Sequence, residues 1–379
     1  MSRASNGIIP PHSREQSSII VDSHIHALPP LVMTTYRAWL AETHPANEGP
    51  PHLWTSPAFE QPDEQIRALD VDGVAKALIT FSSNAPAAMH VTALTHNLKG
   101  PEMVRMVNDQ VITWAKASNG RLLPTAWIEP RFGSDALAEM ERVVQHSGVQ
   151  AISVLTAYRG PGQPLRFLDH PMFLPVLEYA ATLKVPVYIH SSGRFNVFAD
   201  MADCPLPEPA ATYLTGGLSM LVESTLCLIR LVVNGVFDRL PDLRLVFGQL
   251  GGLFPFVLGR FDVIYELVVA ATAKSGTDEP LEEKQVFGIC RRLRDYAGQI
   301  YVDTHSMDQA AILCALESLG PDRVLYGSDF PVTPARIGRK EALDTLRLLP
   351  VSQDVKAAVL GKNAMALLCL DSLEESVSK

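Results

Sequence analysis

The sequence predicts a closed barrel of eight parallel strands, each followed by a helix. Eight short apolar runs recur along the chain, and a longer segment with helical periodicity follows each of them. Runs that are apolar on both faces indicate parallel strands, and eight strand–helix units favour a (β/α)8 barrel. An open, doubly wound sheet is the alternative, but its usual glycine-rich turn after the first strand is missing here.

The eight predicted strands are 19–26, 73–83, 121–130, 148–158, 185–193, 243–252, 299–306 and 323–332. The predicted helices are 64–70, 101–118, 134–146, 172–183, 219–238, 253–273, 307–319 and 340–348, with a closing helix over 355–370. Residues 27–62 and 194–218 are longer than simple barrel loops. Because loops after the strands surround the mouth of a barrel, we interpret both as lid or substrate-wall segments.

Composition limits the class of protein. The chain has 379 residues, 47% of them apolar, and a net charge of −9, which argues against a basic nucleic-acid-binding surface. Its five cysteines have no CxxC spacing, so we expect reduced thiols and a cytoplasmic location. We expect no membrane-spanning segment. Residues 1–17 are predicted to form a flexible arm, and 18–379 a single barrel domain.

The first predicted strand ends in two histidines, His24 and His26, with Asp22 two residues earlier. Alternate residues of a strand point to the same side, so these three side chains are expected on one face. Two imidazoles on one face can bind a transition metal. A chance pair of structural histidines is the alternative interpretation of the pair alone.

Two further strands end in metal-binding residue types. His190 ends the fifth strand and Asp329 ends the eighth. Since the carboxyl ends of barrel strands converge, His24, His26, His190 and Asp329 are predicted to hold one divalent metal ion. Three imidazoles and one carboxylate favour Zn²⁺, with Mn²⁺, Co²⁺ or Fe²⁺ as alternatives.

With these residues the chain resembles the amidohydrolase superfamily, in its aminocarboxymuconate-semialdehyde decarboxylase-like branch. The motifs that carry this resemblance are Asp22–His26, Val185–His190, Gly235–Phe247, Gly251–Arg260 and Leu325–Pro331. Residues 151–158 and 169–173 look similar to the 6-methylsalicylate decarboxylase group.

The resemblance implies a metal-dependent, non-oxidative decarboxylase of a small aromatic or enoic carboxylic acid, such as a hydroxybenzoate. It implies a single metal ion, a homodimer, and a role for Asp329 as both ligand and proton donor. Arg260 resembles an arginine that binds a substrate carboxylate, sometimes across the dimer interface; a surface ion pair with Asp262 or a neighbouring residue is the alternative. Tyr158 and Arg194 are further candidate substrate contacts.

One position departs from the family pattern. Strand six is expected to end in an acid–base histidine, but Gln249 stands there, and an amide cannot carry a proton. Another group takes over, the reaction proceeds without that step, or the protein is a weak catalyst. His305, at the end of strand seven, is the candidate substitute; an exposed loop histidine is the alternative.

Two other functions stay open. The same metal site suits a hydrolase of an ester, lactone or amide, since a metal ion can also activate water. A catalytically impaired barrel that only binds metal and ligand is the third possibility, with Gln249 as its support.

Overall fold

In this computed structural model, parallel strands form a ring surrounded by helices. The structure describes residues 19–43, 55–160, 162–193, 210, 213–274, 291–305, 308–333 and 338–370. Eleven strands lie in these residues: β1 Val21–His26, β2 Lys76–Thr80, β3 Leu122–Pro124, β4 Ala126–Trp127, β5 Ile152–Leu155, β6 Ala157–Tyr158, β7 Arg166–Phe167, β8 Val187–His190, β9 Leu245–Phe247, β10 Ile300–Asp303 and β11 Val324–Leu325. Strands β6 and β7 pair as a small antiparallel hairpin, and the other nine build the ring.

The ring has eight positions, because β3 and β4 together fill the third. The order β1-β2-β3 continues through β4-β5-β8-β9-β10-β11, and every pairing within it is parallel. Thr125, between β3 and β4, still donates its backbone N–H to Ile79 O at 3.3 Å.

Backbone hydrogen bonds join the last position to the first and close the ring. Ser23 donates its N–H to Tyr326 O, and His26 donates to Phe330 O, both at 2.8 Å. Asp329 donates its N–H to His24 O at 2.8 Å in the opposite direction. The predicted (β/α)8, or TIM, barrel is confirmed, with each predicted strand found at its place in the ring.

The helices follow the predicted order. The α-helices are Pro30–Thr43, Pro62–Asp72, Ala85–Thr95, Gly100–Ala117, Ser134–Glu141, Leu174–Leu183, Met220–Val233, Val236–Arg239, Phe254–Lys274, Gln309–Leu319, Arg339–Leu348, Gln353–Ala357 and Asn363–Leu367. The π-helical turns are Arg142–His146, Thr215–Ser219 and Ala358–Lys362, and the 3₁₀ turns are Pro57–Phe59, Pro130–Phe132, Gln249–Gly251, Leu293–Gln299 and Pro321–Arg323.

Two helices are not among the predicted ones. Pro30–Thr43 lies in the predicted long loop, and Ala85–Thr95 follows the second strand. Pro30 and Pro86 occupy the first turn of these helices. The missing N–H of proline removes no helical hydrogen bond there. Of the two proposed lid segments, residues 44–54 and most of 194–212 lie outside the described residues, as do residues 1–18.

The closing helical segment covers the amino-terminal end of the barrel. Leu367 and Leu368 pack with Val21, Tyr188 and Val246 in a second apolar cluster, separate from the main core between strands and helices. The carboxyl-terminal end is therefore the end at which the strands present polar side chains.

One described helical segment, Thr215–Val233, is long and apolar enough to cross a membrane by length and composition alone. Its residues Cys227, Leu228 and Leu231 are fully buried in the core. These three residues belong to the main core between strands and helices.

Candidate metal centre

Four side chains converge at the carboxyl-terminal end of the ring. His24 and His26 lie on β1, His190 ends β8, and Asp329 follows β11; one ligand atom from each lies within 4.8 Å of all the others. His24 Nε2 is 3.1 Å from His26 Nε2, which is 2.8 Å from Asp329 Oδ1. The structure thus brings together the four residues selected from the strand ends.

In each of the three histidines, Nδ1 faces a carbonyl or carboxylate oxygen, which accepts hydrogen bonds and does not donate them. The Nδ1 partners are Asp303 Oδ2 for His24 at 2.6 Å, Thr80 O for His26 at 3.3 Å and Ser191 O for His190 at 2.8 Å. Each oxygen favours a proton on Nδ1, which leaves the Nε2 lone pair free. All three rings are therefore oriented as metal ligands.

The donor set fits a divalent transition metal. Two Nε2 lone pairs facing each other at 3.1 Å repel unless a cation lies beside them. Three imidazole nitrogens and one carboxylate oxygen match the ligands that zinc and related metals take. His24, His26, His190 and Asp329 are thus the residues that would hold such an ion.

The protonation equilibria differ among the cluster residues. Burial lowers the pKa of His24, but the Asp303 carboxylate outweighs it, and the pKa rises to about 9. Burial lowers the pKa of His190 to about 3. Burial opposes ionisation of Asp329, yet His305 and His26 keep the pKa of that carboxyl well below its usual range. An ionised carboxylate and an uncharged imidazole are the forms that bind metals, so Asp329 and His190 are in the binding form, whereas His24 would release its Nε2 proton when a metal ion binds.

Asp22 does not join the cluster, contrary to the expectation that it shares a face with the two histidines. The pairing of β1 with β2 shifts register between Asp22 and Ile25, which interrupts the alternation of side chains. The Asp22 carboxylate instead accepts hydrogen bonds from Ser328 N at 3.0 Å and from Arg339 Nε at 3.3 Å. It supports the backbone next to Asp329.

Gln249 lies in the turn after the sixth barrel strand, where the family pattern expects histidine. Its φ of +54° is left-handed, and its backbone N–H donates to Asp303 Oδ1 at 2.9 Å. Its side-chain Nε2 lies 3.9 Å from Met220 Sδ, on the helix after the fifth strand.

His305 is buried beside the cluster and is not an exposed loop residue. Its side chain is 7% exposed, and its Nε2 lies 3.5 Å from Asp329 Oδ2. Its ring centroid is 5.6 Å from that of His24. Among the described residues, it is the histidine next to the four candidate ligands.

The three candidate substrate contacts lie in different surroundings. Arg194 lies outside the described residues. Tyr158 is buried, with its hydroxyl accepting the Leu155 N–H at 2.8 Å and its ring 5.5 Å from the Arg131 guanidinium carbon. Arg260 is exposed on helix Phe254–Lys274, and Asp262, its suggested partner, is bound by Arg294 instead.

The contacts of Asp303 were not predicted from the sequence. A carboxylate at the end of the seventh strand, two residues before His305, was the available signal. The partners of His26 and His190 are backbone carbonyl groups, which every residue carries, so no sequence signal marks them.

The fold and the cluster define a (β/α)8 barrel with a candidate metal centre at its mouth. The family model described as Amidohydrolase matches residues 21–370. The chain therefore belongs to the amidohydrolase family, which confirms the resemblance drawn from its motifs.

Relatives and solved structures agree with this assignment. A 2-amino-3-carboxymuconate-6-semialdehyde decarboxylase of Dictyostelium discoideum is 22% identical over 366 residues, covering 93% of this chain and 92% of the relative. A gamma-resorcylate decarboxylase of Rhizobium sp. (strain MTP-10005) is 25% identical over 278 residues, covering 71% of this chain and 76% of the relative. The crystal structure of 5-carboxyvanillate decarboxylase from Novosphingobium aromaticivorans DSM 12444, complexed with manganese and 4-hydroxy-3-methoxy-5-nitrobenzoic acid, has a TM-score of 0.71 at 18% identity, covering 94% of this chain and 97% of that chain.

Proposed function

We propose that this protein is a metal-dependent, non-oxidative decarboxylase of a small aromatic carboxylic acid of the hydroxybenzoate type. The observation that carries the proposal is the convergence of three Nε2 atoms and one carboxylate at the mouth of the barrel. The relatives named as decarboxylases support the reaction type, and a net charge of −9 accords with a small-molecule substrate rather than a nucleic acid.

We propose that the site binds one divalent metal ion. The three-histidine, one-carboxylate set favours Zn²⁺ by ligand type, whereas the manganese in the 5-carboxyvanillate decarboxylase structure favours Mn²⁺. When bound, the metal polarises the substrate and stabilises the negative charge that develops during reaction. Elemental analysis of the purified protein, followed by reconstitution with each ion, identifies the active metal.

The chain's own residues would handle the proton. During decarboxylation the bond to the carboxyl carbon breaks, its electron pair stays on the substrate carbon, and carbon dioxide leaves. A proton then takes the vacated position on carbon. We assign this transfer to Asp329 and His305, whose Oδ2 and Nε2 atoms are 3.5 Å apart. Because Asp329 is ionised and His305 uncharged before reaction, the proton comes from solvent and passes through these two groups to the carbon. Gln249 cannot carry the proton, so it would orient the substrate or water through its amide.

The experiment that tests this function measures products from the metal-loaded protein. Incubation with a panel of hydroxybenzoates should release carbon dioxide in equal amount to the decarboxylated phenol. Release of a new carboxylic acid from esters, lactones or amides, without carbon dioxide, would identify a hydrolase instead. Ligand binding without any turnover would identify a barrel that only binds.

The substitution Gln249→His is expected to leave the metal content unchanged and to raise turnover by about tenfold or more. Gln249 is not among the four ligands, and a well-placed acid–base group contributes on the order of 10²–10⁴-fold. Histidine also tolerates the left-handed backbone at this position better than most residues. Metal analysis and steady-state kinetics measure both quantities.

Gln249→Asn is the matched control, because asparagine tolerates the same backbone but carries no proton. Its shorter side chain moves the amide away from the position that Gln249 gives it, so turnover should not rise and should fall below that of the wild type. Loss of metal in Gln249→His would show instead that Gln249 supports the metal ligands.

We also propose that the protein is a homodimer that pairs through helix Phe254–Lys274. Phe256, Val263 and Leu267 are 81%, 52% and 60% exposed, at spacings that place them on one face of the helix with Arg260. An apolar stripe of this kind is typical of a protein interface, and a second copy of the chain would cover it. Arg260 would then sit at the interface, where its guanidinium group can bind the carboxylate of a substrate in the partner subunit.

Substituting Leu267→Glu should convert the dimer to a monomer, because it places a charge in the apolar stripe. Light scattering after gel filtration measures the mass. Val71→Glu is the control, since Val71 is 84% exposed on a different helix, and this variant should leave the mass unchanged.

Arg260→Ala should keep the dimer and raise KM by roughly 10–100-fold, because it removes a charge-assisted hydrogen bond to the substrate. A wild-type monomer, or unchanged KM in Arg260→Ala, would contradict the proposal.

We propose a cytoplasmic location on the basis of cysteine usage. Cys227 and Cys314 are free thiols in the part of the chain that the structure describes, as is typical of a reducing compartment.

A further inference from the structure

Asp303, a buried carboxylate on the seventh strand, contacts the metal centre without belonging to it. We propose that Asp303 is the positioning residue of this site, which fixes the ring of His24 and the backbone of both Gln249 and His305. The inference rests on the metal centre proposed above, but it does not depend on which reaction the centre performs.

The first contact of Asp303 is with a candidate ligand. Its Oδ2 lies 2.6 Å from His24 Nδ1, and the two side chains are only 2% and 5% exposed. A carboxylate that accepts from the outer nitrogen of a ligating imidazole fixes its tautomer and orientation and increases its basicity. Backbone carbonyl groups serve His26 and His190 in this way, so His24 is the ligand with a charged partner.

The second oxygen of Asp303 binds two backbone N–H groups. Oδ1 accepts from Gln249 N at 2.9 Å and from His305 N at 3.1 Å. Gln249 has a left-handed backbone, and the hydrogen bond to Asp303 helps to hold that conformation. The carboxylate therefore connects the first, sixth and seventh barrel positions, and it cannot rotate without breaking at least one of these three bonds.

Two glycines enclose the His24–Asp303 pair. A Cβ at Gly327 would lie 2.9 Å from His24 Cβ and 3.1 Å from Asp303 Cβ, which is too close for an unshifted side chain. A Cβ at Gly248 would lie 3.2 Å from His24 Cε1 and 3.6 Å from Asp303 Oδ2. Because glycine stands at both positions, the ring and the carboxylate pack directly between two backbone segments.

The substitution Asp303→Asn tests the proposal. If the amide oxygen faces His24, the NH₂ group opposes the N–H groups of Gln249 and His305; if the amide is flipped, it opposes the proton on Nδ1. Either arrangement weakens the site, so we expect Zn²⁺ or Mn²⁺ to bind about 10–100-fold more weakly in chelator competition. Asp308→Asn is the control, because Asp308 is an exposed helix cap in which asparagine serves equally well.

Three outcomes are distinguishable. If the wild-type protein binds neither Zn²⁺ nor Mn²⁺, the proposed metal centre is wrong, and Asp303 has no ligand to position. If the wild type binds metal and folded Asp303→Asn binds it with the same Kd, the positioning role is overturned. This holds even if the variant melts at a lower temperature. Weaker binding in Asp303→Asn, with Asp308→Asn unchanged, supports it.

Two further measurements keep the proposal testable if Asp303→Asn does not fold. The ring ¹⁵N resonances of His24 in the metal-loaded wild type should show a proton on Nδ1; a proton on Nε2 would overturn the inference. Gly248→Ala should also weaken metal binding, and Gly327→Ala more strongly, because the added Cβ displaces the pair by a larger amount. A metal affinity equal to that of the wild type in both glycine variants would contradict the tight packing of His24 and Asp303.

Discussion

Asp329→Asn is expected to lose its metal ion and to lower turnover on the order of 10³-fold or more, the equivalent of several kcal/mol of transition-state stabilisation. Asp329 supplies the anionic donor of the four-residue cluster, and a neutral amide oxygen is a weaker ligand. Thr333 Oγ1 bonds Asp329 Oδ2 at 3.0 Å, a contact that asparagine retains in part, so the loop should keep its conformation. Elemental analysis and carbon dioxide release measure the two effects.

Asp344→Asn is the matched control for this variant. Asp344 lies on an exposed helix surface, paired with Lys340 and Arg347, and its loss should change neither metal content nor turnover. Removal of the metal from the wild type by a chelator should reproduce the Asp329→Asn result, and added metal should restore activity to the wild type alone. Full turnover in metal-free protein would refute the metal centre.

His305→Asn is expected to lower turnover by about 10²–10⁴-fold while metal content stays the same, because general acid–base groups contribute that much. His305 is buried 3.5 Å from Asp329, and asparagine fills part of its volume without carrying a proton. His96→Asn, at an exposed histidine, is the control and should behave as the wild type.

The pH dependence gives a second test of His305. Burial lowers the pKa of His305, and although Asp329 acts in the opposite direction, the net pKa lies below the usual 6.5. The ring is therefore uncharged at neutral pH, with one nitrogen to donate and one to accept a proton. Protonation removes the acceptor and adds a positive charge beside the metal ligands. Wild-type turnover should thus fall as the pH decreases below 6.5 through this pKa, and His305→Asn should lack that fall. An identical profile in both proteins would contradict the assignment.

The barrel and the four cluster residues follow from local patterns in the sequence. Strand ends converge in a closed ring, so a histidine or aspartate at the end of an apolar run can be placed at the mouth without knowledge of tertiary contacts. His24, His26, His190 and Asp329 were all selected on that basis. The rule of alternation was less reliable: the register shift in the first strand separated Asp22 from the histidines.

Contacts between distant segments could not be predicted in the same way. Asp303 and His24 are 279 residues apart, and nothing in either segment specifies that their side chains meet. Gln249 has a left-handed backbone and a hydrogen bond to another strand, and the residue is not a glycine, the type that would have indicated such a turn in the sequence. The helix Pro30–Thr43 was missed because proline content alone does not separate a helix start from a loop.

The seam between the first and last strands has a consequence for the order of events during synthesis. His24 and His26 emerge from the ribosome early, but Asp329 and the backbone bonds from Ser23 to Tyr326 arrive only after most of the chain has been made. A nascent chain would hold three of the four donors with no ring to orient them. Metal capture in this protein would therefore be a late event, available only to chains that have already closed the barrel.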